Sequence, residues 1–257
     1  MRHSAVIYSR KHRFAFIKGR KVASTSIEIA LSAICGDNDV ITPITPIDER
    51  ARLEFGGRPP QNYGANPAAV AAYIDSVRSA DSALLPGIEA PKGIVRNHSS
   101  LKELIGFVGG VPGDFLIFAS ERSPYMKVIS SANLRTAPKE YHKTGIQVAA
   151  NRDEIRTVVD RMIHNGRLEK LQNYRLYVDE RGKLRTSIVR YENLEEDLRS
   201  LLSSRGIPAL PPLPHAKRGL SLNSADVREY LSAAQIRAIN EQFAIEFKTF
   251  GYEMITP

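Results

Sequence analysis

The apolar run Phe14-Ala15-Phe16-Ile17 stops at Gly19, and from Thr25 onward Ile27, Ala30 and Leu31 return at helical spacing. Between them lies Arg20-Lys21-Val22-Ala23-Ser24-Thr25-Ser26, a loop of small and hydroxyl-bearing residues around one lysine. The order is strand, loop, helix, and it predicts an α/β chain with its first helix over residues 25–34. The loop amides and the hydroxyls of Ser24, Thr25 and Ser26 come to a helix N-terminus, where unpaired donors and the helix dipole favour an anion. Lys21 adds a point charge beside them. The pattern is not a Walker A loop, because the lysine precedes the hydroxyls and the glycine-lysine-hydroxyl ending is missing.

Lys21-Val22-Ala23-Ser24-Thr25-Ser26 after a strand resembles the phosphosulfate-binding loop of sulfotransferases that use 3′-phosphoadenosine 5′-phosphosulfate (PAPS), especially the carbohydrate type. That family usually has proline before the lysine, where this chain has Arg20. A second stretch, Arg122 followed by Pro124 and Ser130, is similar in order and spacing to the arginine and serine that bind the cofactor's 3′-phosphate. Arginine suits that task because its planar fork can give a phosphate two parallel hydrogen bonds. Lys127 stands where the family commonly has a second arginine, and Ser123 where asparagine is common. Val189-Arg190-Tyr191-Glu192-Asn193-Leu194 resembles the strand near the adenine, which makes Tyr191 a candidate nucleotide contact; plain strand-end packing accounts for the same residues.

The resemblance implies a single domain over residues 1–257 with a P-loop-like three-layer fold, a central parallel sheet flanked by helices. It implies a PAPS-dependent transfer of a sulfuryl group to a hydroxyl of a carbohydrate or other small hydroxylated acceptor, with no metal. Lys21, Val22, Ala23, Ser24, Thr25, Ser26, Arg122, Ser130 and Tyr191 are then the cofactor contacts, and Lys21 stabilises the leaving charge.

His98 is the candidate general base, since the acceptor hydroxyl must lose a proton and histidine titrates near neutrality. Its segment Asn97-His98-Ser99-Ser100-Leu101 is similar to a short histidine segment of the family, and the alternative is a histidine that partly caps a helix. His142 falls in a polar loop that could line an anionic acceptor site or simply be solvated, the reading its polar neighbours favour, and His164 near a helix end suits the C-terminal dipole. The resemblance implies that His215, with Lys217 and Arg218, could approach the 3′-phosphate, since soluble sulfotransferases use a basic C-terminal loop there.

The net charge of +8 suits an anionic cofactor or a polyanionic partner. Nucleic acid is disfavoured, because the basic residues are scattered and no nucleic-acid module is recognisable. Cys35 is the only cysteine, so no intramolecular disulfide can form. Ala5-Val6-Ile7-Tyr8 is too short for a signal-peptide core, and no later apolar run approaches membrane-spanning length. The expectation is a cytoplasmic protein of bacterial type. Two other classes stay open: a Mg²⁺-dependent nucleotide kinase, and a non-enzymatic basic protein that binds polyanions.

Elsewhere, residues 5–8 and 14–17 predict a hairpin, and the unbroken apolar run 115–120 predicts a buried strand. Residues 37–91, punctuated by prolines, read as an acceptor-side excursion with a helix over 66–79 capped by Asn66. Strands are expected at 93–96, 173–177 and 186–191. Helices are expected after Ser100, whose capping box closes on Glu103, from Pro124, over 152–164, over 192–203 and over 233–247.

Overall fold

The computed structural model describes residues 6–96, 98–136, 151–214 and 226–257. They fall into two compact units, each assembled from separate stretches of chain. The first takes Met1–Gly19, Ala23–Ser120 and Arg175–Ala216; the second takes Arg20–Val22, Glu121–Tyr174 and Lys217–Pro257.

The first unit is built on a sheet in the order β3-β1-β2-β4-β5. Strand β1 (Val6–Ser9) and β2 (Phe14–Ile17) form the expected hairpin, with Val6 opposite Ile17 and Ser9 opposite Phe14. Every residue of both strands is buried, so both faces of the hairpin are covered. The Asp39 carboxylate closes its turn by accepting from the Ser9 hydroxyl at 2.7 Å and the Arg10 amide at 2.7 Å. Strand β3 (Val40–Ile41) adds antiparallel to β1, while β4 (Leu116–Glu121) runs parallel to β2 with Phe14 opposite Leu116 and Phe16 opposite Phe118. The sheet is therefore mixed, where the expectation was a central parallel sheet. The short turn between β1 and β2 leaves no room for a crossover and forces the antiparallel pairing. Because β2 and β4 are parallel neighbours, their C-terminal ends lie at the same end of the sheet. Strand β5 (Ser187–Arg190) completes it.

Helix α1 (Ser24–Ile34) packs Ile27 and Leu31 on Phe14, Phe16 and Phe118, in a core that also takes Val189, Leu198 and Leu202. Helices α2 (Pro46–Glu54), α3 (Pro67–Ser79) and α4 (Leu101–Val108) follow. Asn66 caps α3 as expected, and Ser100 with Glu103 forms the capping box of α4. Cys35 is buried, and burial together with the neighbouring Asp39 raises its thiol pKa far above the ordinary value.

The second unit packs helix α5 (Pro124–Thr136) against the helix Arg152–His164, with Tyr125, Val128, Ile129, Val159 and Met162 at the centre. The expected single helix over 233–247 is two, Ala233–Gln242 and Ala244–Phe250, broken at the buried Phe243. The Gln172 side-chain amide donates to the Gln242 carbonyl at the break.

Two other expectations give way. Residues 93–96 are not a strand: Gly93 lies so close to Tyr63 that a Cβ there would sit 2.3 Å from the ring, and Ile94 is 70% exposed. Residues 173–177 contain a helical turn, Tyr174–Tyr177, because Asn173 spends its hydrogen bonds on tertiary partners rather than on a ladder. No helix among the described residues is long and apolar enough to cross a membrane.

Candidate functional site

The loop that leaves β2 is locally unusual. Lys21 has φ 63° and Ala23 has φ 58°, both in the left-handed region, while Val22 between them does not. Each left-handed residue that is not glycine costs about 1–2 kcal/mol, so the loop holds a conformation its residues do not prefer. Left-handed residues set among other conformations occur where backbone N–H groups gather into an anion-binding concavity, and Lys21 and Ala23 supply two such positions. Val22, between them, is fully buried.

Ala23 is also the N-cap of α1, which has no side-chain cap and no acidic residue in its first turn. By contrast α2, α3 and α4 are capped by Thr45, Asn66 and Ser100. Sequence alone left the three hydroxyls equivalent, but they differ. Ser24 is buried with its Oγ 3.4 Å from that of Ser120 near the end of β4, whereas Thr25 and Ser26 are half-buried.

Within the second unit, residues flanking the two expected anion-binding stretches share a buried network. The Asn173 side chain accepts from the Arg20 amide at 2.8 Å and donates to the Arg20 carbonyl at 3.2 Å. The same Nδ2 donates to the Glu121 carboxylate at 3.2 Å, and Glu121 accepts from the Arg122 amide at 2.9 Å. Lys127 Nζ lies 2.9 Å from Glu121 and 2.5 Å from Glu246, and Glu246 also accepts from the amides of Asn173 and Tyr174. Two carboxylates face one ammonium here with no exposure on any of the three side chains. Burial, opposed by Lys127 and reinforced by Glu246, pushes the Glu121 carboxyl up to about 7. Burial alone depresses the Lys127 ammonium, but the two carboxylates together hold its pKa above the ordinary value.

Lys127 is thus an internal ion-pair partner, with its ammonium buried between Glu121 and Glu246. Arg122 and Ser130 are both nearly buried in this unit, Arg122 directly after β4 and Ser130 in the middle of α5.

His98 sits in the first unit with φ 75° and its Nδ1 2.9 Å from the Lys18 carbonyl, one residue before Gly19. A carbonyl can only accept, so Nδ1 carries the hydrogen and Nε2 is the basic nitrogen of the neutral ring. Lys18 turns its own side chain inward, with Nζ 2.7 Å from Glu28 of α1; Arg52 lies 2.9 Å from Glu28 and 2.9 Å from Glu49. This chain alternates two cations with two carboxylates and is balanced in charge. The strand end that presents the carbonyl to His98 is tied by it to α1.

Tyr191 is half-buried where β5 turns into a short 3₁₀ segment, Tyr191–Asn193, and Asn193 opens the helix Leu194–Ser203 without a side-chain cap bond. His164 lies in the last turn of its helix, as the dipole argument requires. His142, His215, Lys217 and Arg218 lie outside the described residues. No cluster of three or more His, Cys, Asp or Glu suited to a metal occurs among the described residues.

Asn173, Glu121 and Glu246 were the residues that sequence reasoning missed. Each acts on backbone groups or on a distant partner, and nothing in its neighbours along the chain signals that. No protein-family model, curated protein or solved structure matches this chain.

Proposed function

We propose that this protein is a PAPS-dependent sulfotransferase with a P-loop-like frame, acting on a hydroxyl of a carbohydrate or other small hydroxylated acceptor. The N-terminus of α1 carries this reading: a helix of 11 residues, entered through left-handed Lys21 and Ala23, opens directly after a central strand with no side chain of its own as cap. Amides held in that way suit a terminal phosphosulfate, to which they offer fixed donors without reorganisation. Arg122, placed where β4 ends, supplies the fork that suits a 3′-phosphate, with Ser130 as a neutral donor.

In the reaction the acceptor oxygen attacks sulfur as the bond from sulfur to the phosphate oxygen breaks, releasing adenosine 3′,5′-bisphosphate. Lys21 neutralises charge on the departing phosphate, and His98 Nε2 takes the acceptor's proton. A segment such as 37–91, carried on the scaffold and rich in proline, is suited to selecting the acceptor.

Calorimetry with adenosine 3′,5′-bisphosphate and adenosine 5′-monophosphate, without Mg²⁺, tests the reading before any acceptor is known. The bisphosphate should bind roughly ten- to a hundredfold more tightly, since a charge-assisted contact to phosphate contributes about 1.5–3 kcal/mol. Arg122→Ala should remove most of that preference and barely change the monophosphate. Equal affinities in the unmodified protein would sink the proposal, and a strict Mg²⁺ requirement would favour the kinase reading.

A further inference from the structure

Asn173 is fully buried, and its side-chain amide uses both ends. Oδ1 accepts from the Arg20 amide, and Nδ2 donates to the Arg20 carbonyl and to Glu121. Only this orientation of the amide works, since reversing it sets a donor against the Arg20 N–H and an acceptor against the carboxylate. The Asn173 backbone N–H is itself held by Glu246. Both peptide groups of the residue before Lys21 are therefore clamped to a point that is buried, ion-paired and shared with the amide of Arg122.

We infer that Asn173 is a positioning residue which holds the Lys21 loop in its left-handed conformation before any ligand arrives, and sets the loop against Arg122 through Glu121. The consequence for a nucleotide with phosphates at both ends rests on the sulfotransferase reading; the clamp itself does not. A loop of non-glycine residues in a disfavoured conformation needs something rigid outside itself to hold it. Here the hold is on the backbone of residue 20, so it depends on an N–H there. The clamp therefore defines the entry to the loop of a chain that carries arginine, not proline, before the lysine.

Two variants separate the clamp from general stability. Asn173→Ala removes all three side-chain contacts, and Arg20→Pro removes the N–H donor together with the guanidinium bond to the Lys170 carbonyl, a bond that Arg20→Ala also loses, and leaves the buried carboxylates and Lys127 intact. Amide hydrogen exchange at residues 21–23 in the ligand-free protein should speed up roughly tenfold in either variant, the loss expected for one hydrogen bond. Arg20→Ala, which keeps both peptide groups, should leave exchange as it was. Unchanged exchange in Arg20→Pro overturns the inference even if Asn173→Ala fails to fold.

The second readout is a cycle with Lys21→Ala, using adenosine 3′,5′-bisphosphate as the probe. Asn173→Ala should weaken binding roughly tenfold when Lys21 is present and hardly at all when it is absent, because its action passes through the lysine loop. Equal losses in both backgrounds would mean a merely structural role. If the unmodified protein does not bind the bisphosphate, the functional reading falls, and the exchange experiment still decides the clamp by itself.

Discussion

Among single residues, His98 has the most specific chemical arrangement. Its Nδ1 is committed to the Lys18 carbonyl, 2.9 Å away, which fixes the tautomer and leaves Nε2 as the lone-pair nitrogen of the neutral ring. His98→Ala should keep the affinity for adenosine 3′,5′-bisphosphate while turnover of labelled PAPS falls by about 10²–10⁴. Near-normal turnover would assign the base elsewhere. Lys21→Ala should lower turnover by about a hundredfold at saturating PAPS with the fold unchanged by circular dichroism, because its charge matters most as the leaving phosphate forms. The roles the sequence suggested rest on each residue's own chemistry: Lys21 and Arg122, each following a strand, as cations for an anion, and His98 as a titratable ring. Asn173 was read as the start of a strand, since an amide that works through another residue's backbone leaves no trace in its own neighbourhood.

For whole elements, legibility followed what the element buries. Strand β4 and the core helices announce themselves because apolar residues fill one face or both, and α3 and α4 carry capping residues that mark their starts. Helix α2 was missed because the face it buries is charged: Asp48, Glu49 and Arg52 point inward, so it has no apolar stripe to read. The Glu121–Lys127–Glu246 group is likewise invisible to hydrophobic patterning, and it has a measurable signature. The folded chain holds the Glu121 proton up to about pH 7, against an ordinary value of 4.5, so between those values the folded state binds more protons than the unfolded one. That contribution to stability is fully present below the ordinary value and is lost as pH rises through about 7. Urea midpoints of the unmodified protein should therefore fall between pH 5 and pH 8, and Glu121→Gln should flatten the fall. Parallel slopes would place the titrating group elsewhere.

Across the whole molecule, each unit is completed by residues from far along the chain. The carboxylate of Glu246 and the rings of Phe243 and Phe247 close a core begun by Tyr125 and Val128. Removing residues 226–257 leaves Lys127 with one carboxylate and opens that core. The truncated protein should lose bisphosphate binding and be cut by protease within 121–174 at conditions that spare the full chain; retained resistance would show that the tail is dispensable. The same interleaving gives the β1–β2 hairpin a temporal meaning. Its two strands meet across a short turn, whereas the parallel partner of β2 begins only at Leu116, and closing a long loop costs more entropy than closing a short one. On the ribosome β2 can thus pair with β1 long before β4 has been made, with its other edge bare in the meantime. Nascent chains that stop short of Leu116 are the species most prone to aggregate, and slowing translation ahead of that point should lower the soluble yield without altering the finished protein.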